Sequence, residues 1–252
     1  VSVNIASFLG AATTRILEVG YKNRDATPSE MDRMRVHVEN SMKDGAMGIG
    51  SSLIYAPGDY ASTEELIELS KVASKYGGMY ISHLRSEGTN LLEALEELIS
   101  ISRNANIPAE IYHLKASREP NWSKLDEVIK RIEEVRAEGL KITADIYTYN
   151  ASSTGLTGVI PTWVQEGGHK AWINRMKDPQ VRPRLLADIR EQLDEQPPEG
   201  ILMVGFKTAK MSRKYLAKTV AEAAKMRGQT PEEAIVDMVI EDDNRIQCIY
   251  FS

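Results

Sequence analysis

The sequence predicts an α/β protein built around a parallel sheet. Three observations carry that expectation. Strand-like and helix-like runs alternate from residue 2 to about residue 147, five of the first with four of the second. Successive strand starts fall roughly 30 residues apart, the length of a βα unit. The strand runs read apolar on both faces, as strands covered by helices on both sides must. A (β/α)8 barrel and an open doubly wound sheet both satisfy the pattern. No GxGxxG or GxxxxGK[ST] run follows a strand, which removes the strongest sequence argument for the nucleotide-binding versions of the open sheet.

The elements follow in order. Residues 2–8 form a short strand candidate, and Thr27-Pro28-Ser29-Glu30 then marks a helix start. Met31, Met34, Val38 and Met42 recur on one face of that helix. "GAMGIGSSLIY" reads as a strand and loop, and Ser62-Thr63-Glu64-Glu65 opens a helix through about residue 76. The strand "GMYISHL", the helix "TNLLEALEELISISRNAN" and the strand "AEIYHLK" come next. A helix over about 121–139 ends near Gly139 and leads to the strand "KITADIY".

From residue 151 the rhythm breaks. "ASSTGLTGVIPTWVQEGGHKAW" is small, Gly-rich and aromatic, and helices are predicted at 168–176 and 179–194. Pro197-Pro198-Glu199-Gly200 precedes the strand "ILMVGF", and further helices fit 214–227 and 230–241. Residues 1–252 thus read as one partial domain, with 151–200 a loop and helical insertion.

Bulk properties exclude several classes. The chain of 252 residues is 42% hydrophobic and 27% charged, as ordinary soluble globular proteins are. Its 31 basic and 36 acidic residues are mixed, for a net charge of −5, and form no basic stripe for nucleic acid. No apolar run has a membrane-spanning length. Cys248, the only cysteine, rules out an intrachain disulfide and a cysteine metal cluster, and suits a reducing, cytoplasmic setting. Neither "VSVNIASFLG" nor "RIQCIYFS" looks like a natural terminus, so the chain is expected to be internal to a longer protein.

Two of the four histidines occupy the same point of the same local pattern, His83-Leu84-Arg85 and His113-Leu114-Lys115, each closing a strand. In a parallel α/β fold the site lies at the C-terminal strand ends. Neighbouring strands lie about 4.8 Å apart, so both rings can reach one ion. Two imidazoles do not complete a zinc site, and structural imidazoles remain an equal reading. Asp145 reads as core-satisfying, and Glu87 and Glu119 as solvated or loop-capping. His37 reads as a surface residue and His169 as a capping or loop residue.

Taken together, "GAMGIGSSLIYAPGDYASTEEL", "YISHLRSEG", "IYHLKAS…NW", "TADIYTYNASST" and "IPTWVQEGG" resemble, in this order, motifs of the N-acyl-D-amino-acid deacylases (D-aminoacylases) of the amidohydrolase superfamily. The resemblance implies an incomplete (β/α)8 TIM-type barrel, about strands three to seven plus a helical insertion. It implies zinc as cofactor, with His83 and His113 as metal ligands. Lys115 and Tyr147 match residues that bind the substrate carboxylate. Ser153 and Tyr55 match further contacts, Tyr55 as donor to the developing oxyanion. The implied activity is hydrolysis of N-acyl-D-amino acids to a carboxylate and a free D-amino acid, with the isolated segment inactive. The family's His-x-His pair, its cysteine ligand and its proton-accepting aspartate would fall before Val1 or after Ser252. Ala11 and Ala12 stand where some members carry a Gly-His pair. The alternatives are another amidohydrolase, acting on a dihydropyrimidine, a hydantoin or a dipeptide, and a non-catalytic binding barrel. "GAMGIGSS" lacks the lysine that the dihydropyrimidine-type enzymes place on strand four.

Overall fold

The computed structural model describes residues 3–243 and 246–251, and they divide into two compact units on either side of Tyr147 and Thr148. In the first unit the elements run β1 (Leu9–Gly10), α1 (Ala11–Glu18), α2 (Pro28–Lys43), β2 (Gly48–Ser52), α3 (Thr63–Lys75), β3 (Met79–His83), α4 (Leu91–Ala105), β4 (Ala109–Ile111), α5 (Leu125–Ala137) and β5 (Ile142–Ala144). Short 3-10 turns at Gly58–Tyr60 and Glu119–Lys124 precede α3 and α5. The five strands form one open parallel sheet in chain order, β1-β2-β3-β4-β5.

Local chemistry explains the boundaries. Thr27 and Glu30 close a reciprocal capping box with Pro28 in the first turn of α2, and Ser62 caps α3 by accepting from the Glu65 amide. Gly48 is required by close approach: a Cβ there would lie 1.8 Å from the Met79 carbonyl oxygen, at a φ of +149°. That contact holds β2 against β3 in the register Gly48–Met79 through Ser52–His83. The core between the sheet and its helices contains Met34, Ile49, Leu66, Leu69, Tyr80, Leu95, Ile99, Ile111 and Val128.

Buried polar groups in this unit come in sets. Arg15 is fully buried and forms a 2.6 Å ion pair with Glu65. Its guanidinium also donates to the carbonyls of Lys22 and Arg24. Tyr80 shares a 2.7 Å hydrogen bond with Ser51, which donates to Ser82 at 2.9 Å.

The second unit is antiparallel. β6 (Ala151–Gly155), β7 (Ile201–Gly205) and β8 (Gln247–Phe251) form a three-stranded sheet in the order β6-β8-β7, with a bulge between Met203 and Gly205. α6 (His169–Met176), α7 (Arg182–Glu195), α8 (Ala209–Tyr215), α9 (Val220–Arg227) and α10 (Pro231–Asp242) pack around it over Leu156, Trp172, Leu185, Met203, Tyr215, Val239 and Cys248. Among the described residues, no helix is long and apolar enough to cross a membrane.

Three local expectations change. The strand expected at 2–8 is found at Leu9–Gly10, followed by the unpredicted helix α1; Ser2 lies outside the described residues. Residues 151–155 pair as β6 because each finds a partner on β8. The helix expected at 214–227 is two helices. Ala217 adopts a φ of +58° and Thr219 starts α9 with its own capping box to Glu222.

Candidate metal and substrate site

The register of the parallel sheet brings the two histidines together. Ser52 pairs with His83 across β2 and β3, and Ser82 pairs with Ile111 across β3 and β4. β4 then ends, the Tyr112 amide donates to the Ser82 carbonyl, and His113 turns out of the strand with a φ of +42°. Asp145, just past β5, holds that turn: its carboxylate accepts from the His113 amide, and its carbonyl accepts from the Leu114 amide at 2.8 Å. The left-handed backbone carries a cost for a residue with a Cβ. The His83 and His113 rings meet edge to face with centroids 4.6 Å apart.

A third group converges on them. Glu87 Oε1 lies 2.9 Å from His113 Nδ1 and 3.7 Å from His83 Nδ1. His83, Glu87 and His113 each offer a ligand atom, all within 4.8 Å of one another. A tetrahedral zinc needs ligand atoms roughly 3.3 Å apart, given metal–ligand bonds of about 2.0–2.2 Å. Two imidazoles and a carboxylate are also the chemistry of a three-ligand catalytic zinc site with one open position. On these grounds the three residues fit the ion. Glu87 is placed by its loop: its carbonyl accepts from the Ser117 amide at 2.7 Å, which ties the β3–α4 loop to the loop after β4.

Lys115 adds the cation. Its Nζ lies 2.6 Å from Glu87 Oε1, 2.8 Å from His113 Nδ1 and 5.3 Å from the centre of the Tyr147 ring. His113 Nδ1 either donates to Glu87 or accepts from Lys115, since one nitrogen cannot do both. Tyr55, in the loop after β2, stands edge-on to His83 with ring centroids 5.7 Å apart, and the Tyr147 and His113 rings are 6.1 Å apart.

The electrostatics follow from burial and this clustering. Desolvation lowers the His83 pKa, reinforced by His113 and Lys115 and opposed by Glu87, which keeps the imidazole neutral and ligand-competent. Burial alone would raise the Glu87 pKa. The hydrogen bonds with His113 and Lys115 and the neighbouring positive charge outweigh it, so the carboxylate lies below its usual range. Burial, with Glu87 and Tyr55 nearby, raises the Tyr147 phenol and holds it as a donor.

Five of the six sequence-derived site residues, Tyr55, His83, His113, Lys115 and Tyr147, therefore share one strand-end cluster. Ser153 belongs to the second unit, in β6, where its hydroxyl donates to the Cys248 carbonyl at 3.1 Å. Glu87, expected to be solvated or loop-capping, joins the cluster instead. Arg85 lies outside this cluster and binds Glu97 and two loop carbonyls. His37 pairs with Glu18, His169 with Asp243, and Glu119 is exposed.

No family model matches the chain. A D-aminoacylase of Alcaligenes xylosoxydans xylosoxydans is 37% identical over 155 residues, covering 62% of this chain and 32% of the relative. An N-acyl-D-glutamate deacylase of the same organism is 30% identical over 152 residues, covering 60% and 31%. Over these stretches the chain is similar in sequence to N-acyl-D-amino-acid deacylases. It spans about a third of the length of these curated relatives. A D-aminoacylase crystal structure, described as defining a novel subset of amidohydrolases, aligns with a TM-score of 0.74 at 27% identity over 99% of this chain and 44% of that one. The zinc and phosphonate complex of the N-acyl-D-glutamate deacylase of Bordetella bronchiseptica aligns with a TM-score of 0.76 at 22% identity, over the same shares, which shows the fold. The open parallel sheet is thus part of a barrel of the amidohydrolase type. Another related D-aminoacylase structure, at a TM-score of 0.75 and 26% identity, concerns a binuclear metal centre with one-metal activation and second-metal attenuation.

Proposed function

We propose that this protein hydrolyses the amide bond of N-acyl-D-amino acids with the help of zinc, releasing a carboxylate and a free D-amino acid. The observation that carries the reading is the convergence of His83, Glu87 and His113 with a lysine and two phenols around them. His83, Glu87 and His113 would hold the ion. Bound there, zinc supplies a Lewis acid for the amide carbonyl and a water of lowered pKa. Tyr55 donates a hydrogen bond toward the oxygen that becomes anionic as water adds to the acyl carbon. Lys115 and Tyr147 take the α-carboxylate of the substrate, the lysine by charge and the phenol by its proton. Fixing the carboxylate orients the scissile C–N bond, which breaks as the amine leaves with a proton. The same strand-end location serves catalysis in related barrels generally.

The test is zinc-dependent release of D-amino acid from N-acetyl-D-amino acids by the intact protein, against the L-enantiomers and against dihydropyrimidines. Chelator-sensitive turnover of the D-substrates is the expected result. Turnover of dihydropyrimidines without N-acetyl-D-amino acids would reject this substrate class in favour of cyclic amides.

A further inference from the structure

We infer that Arg85 is a positioning residue for Tyr55. The inference rests on the functional reading above, in which Tyr55 meets the reacting carbonyl. Arg85 follows His83 by two residues, and its guanidinium binds three residues on two elements, α4 and the loop between β2 and α3. Nε and Nη2 each donate to Glu97 of α4 at 2.8 Å, a two-point carboxylate contact. Nη1 donates to the Asp59 carbonyl at 2.8 Å, and Nη2 to the Ala61 carbonyl at 2.9 Å. Those two carbonyls belong to the 3-10 turn and its exit, on the loop that carries Tyr55 from β2 to α3. Glu97 Oε1 also accepts from the hydroxyl of Thr63, the first residue of α3, at 2.9 Å.

The loop is thus tied to the His83 strand at both ends. On the incoming side the Leu53 amide donates to the His83 carbonyl at 3.2 Å. On the outgoing side Arg85 holds Asp59 and Ala61. Between the ties, the Tyr55 carbonyl accepts from the Asp59 amide at 3.1 Å, so the segment bound by Arg85 is bonded directly to the tyrosine's own backbone. Two hydrogen bonds thus link Arg85 to the backbone of Tyr55. The Tyr55 ring in turn meets the His83 imidazole.

The residue type matters. A planar guanidinium can meet a carboxylate with two parallel bonds and still direct its other N–H groups at carbonyls, whereas an ammonium presents one small charge. This explains why the two His-Leu-basic motifs diverge. Lys115 reaches back to His113 and Glu87 inside the cluster, and Arg85 reaches sideways to the loop. Loss of the tie lets Tyr55 drift from the oxyanion position without touching a metal ligand. A shift of about 1 Å at a catalytic group can cost roughly 100-fold in rate.

The experiment uses the intact protein in the forms Arg85→Ala, Arg85→Lys, Glu97→Gln, Tyr55→Phe and Arg85→Ala/Tyr55→Phe. Zinc content, kcat and KM on an N-acetyl-D-amino acid, and hydrogen exchange of the peptide spanning 53–61 are measured for each. Arg85→Ala should keep its zinc, raise exchange in 53–61 by roughly tenfold, and lose kcat by roughly tenfold to 100-fold with KM within about threefold. Arg85→Lys and Glu97→Gln, which retain more of the packing, should fall between it and the wild type. In the Tyr55→Phe background the Arg85 change should cost less than about threefold more, since the two act through one group. Losses that multiply, or exchange that stays at the wild-type rate, overturn the inference. If the wild type hydrolyses no N-acyl-D-amino acid, the functional reading fails and Tyr55 loses its role. The exchange measurement then still judges the loop tie by itself.

Discussion

Replacing Glu87 by Gln separates a metal ligand from a neighbour of the ligands. The substitution keeps the volume and removes the charge. At present one carboxylate oxygen faces His113 Nδ1 at 2.9 Å, His83 Nδ1 at 3.7 Å and Lys115 Nζ at 2.6 Å. Two unit charges 4 Å apart at an effective dielectric of 20 attract by about 4 kcal/mol, so a dication would gain about 8 kcal/mol from this carboxylate. Desolvation and the displaced lysine contact take back much of that gain. Residues that merely orient a ligand cost about 10–100-fold in affinity when changed. A ligand should exceed that range, which sets a floor near 100-fold, or about 2.7 kcal/mol at 1.36 kcal/mol per decade. The assay is zinc affinity by competition with a chromogenic chelator, supported by metal content after dialysis. His83→Ala and His113→Ala serve as positive controls. A Glu87→Gln protein that binds zinc within about threefold of the wild type, while both histidine variants lose it, would refute the ligand role.

Three further outcomes follow from the same structure. Lys115→Met removes a cation that shares His113 Nδ1 and Glu87 Oε1 with the ion, so zinc should bind more tightly while KM for the anionic substrate rises; weaker zinc binding in a chelator titration would count against the arrangement. Glu65→Ala leaves the fully buried Arg15 without its carboxylate and should lower stability by about 3–5 kcal/mol in chemical denaturation, with a loss under about 1 kcal/mol as the contrary result. Burial pushes the Tyr80 phenol from 10.0 up to about 12, so the folded state keeps a proton that the unfolded chain releases. That stabilisation is complete below pH 10 and fades as pH rises toward 12, by about 2–3 kcal/mol in all. Tyr80→Phe should flatten that part of the alkaline stability curve, and an unchanged slope would contradict it.

Much of the first unit could be read in advance because its signals are local. Pro28 and Thr27, Ser62, and the apolar faces of α2 and α4 each announce an element without reference to the rest of the chain. His83 and His113 were visible as strand-end residues because a parallel sheet puts equivalent positions side by side. Glu87 was not, since its reach depends on a backbone bond from Ser117, about 30 residues on, that no periodicity encodes. β6 was hidden for another reason. "ASSTG" has no apolar alternation and becomes a strand only through pairing with β8. The break between α8 and α9 depends on a left-handed alanine, which composition does not advertise. Arg85 showed only as a basic residue in a repeated motif until the loop carbonyls it holds were placed beside it.

The strand order of the second unit has a consequence for how the protein is made. β8 is the middle strand, yet it follows both of its partners in the chain, and the Ser153 hydroxyl must find a carbonyl 95 residues further on. At ribosomal rates of about 5–20 residues per second, β6 waits roughly 5–20 s for that strand to be synthesised. Over that interval α6, α7, α9 and α10 can form from local signals, but β6 and β7 have unsatisfied edges. Nascent chains stalled before residue 247 should therefore hold helices without a sheet, and a chaperone that covers extended edges would find them exposed at that stage.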